Sequence, residues 1–174
     1  DGKTLLVTTT DLSDGMWSVS KGTLSPPRMR THLRDAARDV FHPVHARDGS
    51  MAAVMTHTSR PTRRTSIQVF DPNSSEPPRE VLEADDTQLL TLAISARLDE
   101  VLYASSSMDV MRGTLNVASI EGDPTPRVLI SDTARYVDAA WSPDGEMLAW
   151  ISDASGHMEA YVAPYGPEGL GQVQ

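Results

Sequence analysis

The feature that most constrains this 174-residue chain is internal repetition with a period near 48 residues. Asp-Gly occurs at Asp1-Gly2, Asp48-Gly49 and Asp144-Gly145, so successive glycines stand 47 and 96 residues apart, one period and then two. A degenerate copy, Leu98-Asp99-Glu100, falls where the spacing requires one. Each copy runs into an apolar segment: Leu5-Leu6-Val7, Ala52-Ala53-Val54, Leu102-Tyr103-Ala104 and Leu148-Ala149-Trp150. A second mark, an apolar residue two positions before Val, follows at Trp17-Ser18-Val19, Ile67-Gln68-Val69, Leu115-Asn116-Val117 and Ala160-Tyr161-Val162. A third stands at Pro27-Arg28, Pro78-Arg79 and Pro126-Arg127, with Gly171-Gln172-Val173 in its place in the fourth copy. Periods of about 20–50 residues mark architectures in which one supersecondary unit stacks on its neighbours.

The unit is made of strands. Its segments are short, bounded by Gly, Pro, Asp, Asn and Ser, and carry no long amphipathic helix. The stretch from Thr31 to Asp39 offers at most a helical turn. Asp-Gly between apolar segments predicts a two-residue type I′ hairpin turn, and Glu100 in the glycine's place predicts a wider or different turn in the third copy. The three extra residues of copy two fall in Ser59-Arg60-Pro61-Thr62-Arg63-Arg64, which reads as a lengthened hairpin loop. Because the segment after each turn is continuously apolar, it predicts a strand buried on both faces. Sheets packed face to face around an axis meet that demand, so the expected fold class is all-β, a β-propeller fragment of about four four-stranded blades. The expected blades span 1–34 (lacking its inner strand), 35–84, 85–132 and 133–174. The chain opens in mid-hairpin without Met and stops inside an outer strand, which reads as blades cut from a larger ring. Edge strands exposed at both cuts predict self-association. A β-sandwich would show no fixed period, and leucine-rich, ankyrin and tetratricopeptide arrays have shorter ones.

The fourth copy, Trp141-Ser142-Pro143-Asp144-Gly145-Glu146-Met147-Leu148-Ala149-Trp150, resembles the TolB-like, WD-type propeller repeat. Ser152-Asp153-Ala154-Ser155-Gly156 and Tyr161-Val162 continue the likeness. Copy two departs from the box at His45-Ala46-Arg47-Asp48-Gly49, with His for the aromatic residue and Arg for Pro; copy three keeps only Asp99. The resemblance implies a periplasmic or extracytoplasmic propeller. Such repeats serve translocation proteins, precede prolyl-oligopeptidase-type hydrolase domains, or form sensor tails of bacterial serine/threonine kinases. Tyr161-Val162-Ala163-Pro164-Tyr165-Gly166-Pro167 looks most like the kinase tails.

Composition narrows the chemistry. With 15 basic and 24 acidic residues the net charge is −9, which argues against a nucleic-acid partner. No apolar run is long enough for membrane insertion in this segment. Zero cysteines exclude disulfides, a thiolate nucleophile and Cys-ligated metal. His42 and His45, three apart on an expected strand, point to opposite faces unless a bulge intervenes; with His57 they suggest a metal site like that of propeller-type pectate-degrading lyases. The favoured reading is a packed replacement for an aromatic (His45) and loop histidines, since no carboxylate stands at ligand spacing. Ser105-Ser106-Ser107 and Thr8-Thr9-Thr10 read as strand ends, and no Gly-x-Ser-x-Gly elbow, phosphate loop or kinase signature is present. Asp85-Asp86 and Asp99-Glu100 read as solvated turn carboxylates. Arg60, Arg63 and Arg64 read as a solvated hairpin tip rather than a contact for an acidic partner. Asn73-Ser74-Ser75 fits the glycosylation pattern but carries little weight beside a bacterial resemblance. No catalytic, cofactor-binding or metal residue is assigned, and no cofactor is expected. The expected function is a non-catalytic module binding a protein or peptide partner with its faces or central channel. The alternatives are the sensor or gating propeller of a larger enzyme and, less favoured, a metal-dependent propeller lyase.

Overall fold

The computed structural model describes residues 4–11, 16–24, 27–35, 37–58, 63–85, 87–95, 97–107 and 113–174. All regular structure among them is β. The first sheet holds β1 (Thr4–Asp11), β2 (Met16–Leu24) and β3 (Pro27–Asp35). The second holds β4 (Asp39–His45), β5 (Ala52–Thr58), β6 (Arg64–Phe70) and β7 (Arg79–Asp85). The third holds β8 (Thr87–Ser95), β9 (Glu100–Ser107), β10 (Gly113–Ser119) and β11 (Arg127–Ser131). The fourth holds β12 (Tyr136–Trp141), β13 (Met147–Ser152), β14 (Glu159–Gly166) and β15 (Gly169–Leu170). Within each sheet the strands lie in sequence order and pair antiparallel. Thr31 to Asp35 is strand, so the helical turn weighed there does not form. The Asp1-Gly2 turn, Arg60 and Asp86 lie outside the described residues.

The first strands of successive sheets, β1, β4, β8 and β12, touch in order, which sets the sheets around an axis as blades. Each of β4, β8 and β12 carries a bulge against its neighbour, between Phe41 and Val44, Leu90 and Leu92, and Tyr136 and Asp138. Bulges add twist and bend a strand, which suits the crowded centre of a ring. His42 sits in the first of these bulges with φ +50°, a left-handed backbone unusual for a non-glycine residue.

Alternation across the strands of blades two and three divides their buried apolar side chains between the two neighbouring blades. In β5, Ala52 and Val54 join Val40 and Phe70 against Leu6 and Leu33 of the first blade, while Ala53 and Met55 face the third. In β9, Val101 and Tyr103 face the second blade, while Leu102 and Ala104 face Leu148, Trp150 and Ala163 of the fourth. The doubly buried strand read from the sequence is therefore present in blades two and three. In β13 burial alternates instead: Leu148 and Trp150 are buried, and Ala149 and Ile151 are exposed. The face of β13 that carries Ala149 and Ile151 is therefore exposed.

The Asp-Gly turns differ from the expected type I′. Ala46 and Met51 are hydrogen-bonded across a four-residue loop, as are Ser142 and Met147. Gly49 N–H donates to the Ala46 carbonyl at 2.9 Å, and Gly145 N–H to Ser142 at 2.9 Å. Only the glycines, with φ of +73° and +71°, are left-handed; Asp48 and Asp144 are not. The unit is a β-turn of type I character closed by a left-handed glycine. In the third blade four residues again separate the paired Ser95 and Glu100, so the turn is no wider. There Asp99 rather than Glu100 takes the positive φ, +54°.

Candidate functional site

The ends of the inner strands and the turns that follow them enclose a cleft of about 780 Å³, lined by residues 44–48, 92–95 with Arg97, and 139–143. Three blades thus contribute equivalent pieces to one concavity. Its floor is apolar, from Leu92, Ile94 and Ala139, and its rim carries His45, Arg47, Asp48, Ser95, Arg97 and Ser142. Clefts of this size with few convergent polar groups are where ligands ordinarily bind.

Much of the rim's accepting capacity is spent inside the turns. Asp48 Oδ1 accepts from Ser50 N–H at 3.0 Å and from its hydroxyl at 2.8 Å. These bonds hold the Asp48 carboxyl below the usual carboxylate range. Ser142 Oγ donates to Asp144 Oδ1 at 2.5 Å and accepts from Met147 N–H at 3.0 Å. Asp144 is likewise held low, first by Ser142, then by the Glu146 N–H, and also by the nearby Arg97 guanidinium. His45 Nδ1 lies 3.1 Å from the Ala46 carbonyl.

The other residues singled out from sequence are dispersed. His42 is exposed with its ring edge-on to Phe41 at 5.4 Å, and His57 Nδ1 lies 3.9 Å from Asp39 Oδ2. The bulge that would let His42 and His45 share a metal exists, but no group of three His, Asp or Glu side chains suited to a metal occurs among the described residues. Ser105 lies in a strand and bonds Thr114 at 2.8 Å and the buried Asn116 at 3.0 Å. Thr8–Thr10 lie in β1. Arg64 opens β6 and bridges to Glu83 at 2.7 Å and Asp85 at 3.0 Å, so it is a cross-strand ion pair rather than part of a loop tip. Asn73 spends its amide on the Gly49 carbonyl at 3.2 Å.

The Asp99-Glu100 pair is a correction. Asp99 Oδ2 accepts from Ser119 Oγ and Glu121 N–H, both at 3.1 Å. Glu100, whose side chain is 18% exposed, accepts from Tyr165 Oη at 2.5 Å and from Arg127 at 3.1 Å. Arg127 also reaches Tyr165 Oη at 2.8 Å, so these three side chains clip the third blade to the fourth. Burial and the Glu100 carboxylate push the Tyr165 phenol well above its ordinary range. No sequence signal identifies this clip, because its members are 27 to 65 residues apart.

No protein-family model and no curated protein matches the sequence. Solved structures do match. TolB from Acinetobacter baumannii is similar over 99% of this chain and 41% of its own, with a TM-score of 0.74 at 13% identity. An oligogalacturonate lyase in complex with manganese covers 96% of this chain and 52% of its own, with a TM-score of 0.68 at 11% identity. A Mycobacterium tuberculosis puromycin-hydrolyzing peptidase covers 98% and 30%, with a TM-score of 0.65 at 16% identity. The chain therefore spans between about a third and a half of these proteins. At such identities the likeness speaks for the fold, and the fold is a β-propeller.

Proposed function

We propose that this chain is a non-catalytic β-propeller interaction module that takes a peptide or protein segment into the cleft between the turns of blades two, three and four. The carrying observation is that cleft itself: three repeated turns converge on it with an apolar floor and a polar rim. The two hydroxyl–carboxylate bonds at its rim, Ser142 to Asp144 and Ser50 to Asp48, are both committed to closing turns. Those groups act as structure, which favours recognition over chemistry. A peptide-display selection on the 174-residue chain tests the reading. Selected peptides should lose binding to Ala140→Trp, which places an indole at an exposed cleft position, while the melting temperature stays unchanged. Selection of no peptide, or equal binding to both proteins, overturns it.

A second reading is favoured by the peptidase likeness: the chain would be the propeller portion of a larger enzyme, matching about a third of such a protein. A hydrolase or kinase module encoded in the same reading frame would support it.

A further inference from the structure

We infer that the cleft recognises carboxylate-bearing peptide, with Arg47 and Arg97 as its specificity-determining residues; this rests on the interaction-module reading above. The two arginines come from different blades and line the same cleft. Arg47 is the first residue of its four-residue loop, the place that Pro143 holds in the fourth blade, and Arg97 is the second residue of its own loop. The second and third blades each bring a guanidinium to the lining, whereas Pro143 of the fourth has no side-chain donor.

Neither guanidinium has a hydrogen bond or ion pair among the described residues, whereas Arg64, Arg79, Arg127 and Arg135 are all paired. Arg97 lies against the Asp144-Gly145 turn, close enough that a Cβ on Gly145 would stand 2.9 Å from its Nη1, and its charge helps keep Asp144 ionised. Both arginines are exposed at the rim. Ser95 Oγ accepts weakly from Leu98 N–H at 3.3 Å and keeps its own proton to donate. Against these donors stand Asp48, with one oxygen already engaged, and Asp144 just behind Arg97. Arg47, Arg97 and Asp48 leave the lining one charge positive, in a chain whose net charge is −9. What remains unmet is mostly donor capacity in planar, forked groups, the geometry that suits a carboxylate.

Three fluorescent probes test this against the whole chain: an acetylated, amidated Glu-Gly repeat peptide, its Lys-Gly counterpart, and a Ser-Gly peptide ending in a free carboxylate. The Glu-Gly peptide should bind, and Arg47→Gln and Arg97→Gln should each weaken it about tenfold with unchanged melting temperatures. Arg47→Glu with Arg97→Glu should turn preference toward the Lys-Gly peptide. Binding of the Ser-Gly peptide, lost on amidation and on Arg47→Gln, would place the recognised carboxylate at a chain terminus instead of a side chain. The inference is overturned if the Gln variants bind the Glu-Gly peptide like the parent, or if the parent binds Lys-Gly equally well. Should Lys-Gly bind equally and Ala140→Trp abolish it, the interaction-module reading survives and only the carboxylate preference falls. If no peptide of any charge binds, both fall.

Discussion

Strands β5 and β13 follow the same kind of turn and hold the same place in their blades, yet they are buried differently. All of Ala52, Ala53, Val54 and Met55 have no exposure, because blades lie against both faces of the second sheet. In β13 the residues that face blade three, Leu148 and Trp150, are 0% and 4% exposed, while Ile151 on the opposite face is 38% exposed. Nothing in the apolar run itself distinguishes the two. The difference lies in what stands beside each sheet, so a strand's hydrophobicity reports what its faces tolerate rather than what covers them.

The sharpest way to break this comparison is a buried charge. Val54→Asp would set an unpaired carboxylate between two blades and should cost at least about 3–5 kcal/mol, enough to unfold a marginally stable chain. Ile151→Asp, on the open face of β13, should change stability by about 0.5 kcal/mol or less. Equal losses in urea denaturation would mean that the faces of the fourth blade are assigned wrongly. Next in size is truncation on the covered face of β13. Trp150 stacks on Tyr161 at 5.8 Å within the cluster shared with blade three, so Trp150→Ala should cost about 3–5 kcal/mol. A loss under about 1 kcal/mol would refute its place in that core.

A smaller effect separates contacts between blades from contacts within one. Tyr165→Phe removes the hydroxyl shared by Glu100 and Arg127 and should cost about 1 kcal/mol. Tyr161→Phe removes only a local contact to Ser155 and Glu159 in its own blade and should cost less. A reversed order in thermal melts would remove the clip's claim to join the blades. The smallest effect is on pH. Asp48 and Asp144 both have carboxyls lowered on folding from an ordinary value of 3.8, so their stabilisation is full above that value. It is lost as pH falls through the lower folded values. The melting temperature should hold down to about pH 4 and drop below it, and Asp48→Asn with Asp144→Asn should flatten that acid limb. An unchanged limb in the double variant would show that the turn carboxylates do not couple to folding.

The blade plan was legible because it rests on local signals. Apolar runs at a period near 48 specify strands, and Asp-Gly specifies where they reverse. Turn detail was less legible. Asp-Gly fits both a type I′ pair and a turn closed by glycine, and only the pairing of Ala46 with Met51 chooses the second. Asp99 was hidden because a non-glycine residue seldom takes a positive φ, although Asp does so more readily than most. The cleft was half legible. Arg47 stood out as a departure from Pro, but nothing local marked Arg97, which joins it only because the two loops line one cleft.

The sequence by itself determined that this chain builds repeated antiparallel sheets with apolar cores, since strand propensity, turn chemistry and period all act over a few residues. The tertiary structure alone decided which faces are covered, how Glu100, Arg127 and Tyr165 meet, and that two arginines from separate blades share one cleft. Those facts depend on groups brought together from distant parts of the chain. Packing around an axis creates that proximity, and no local pattern encodes it.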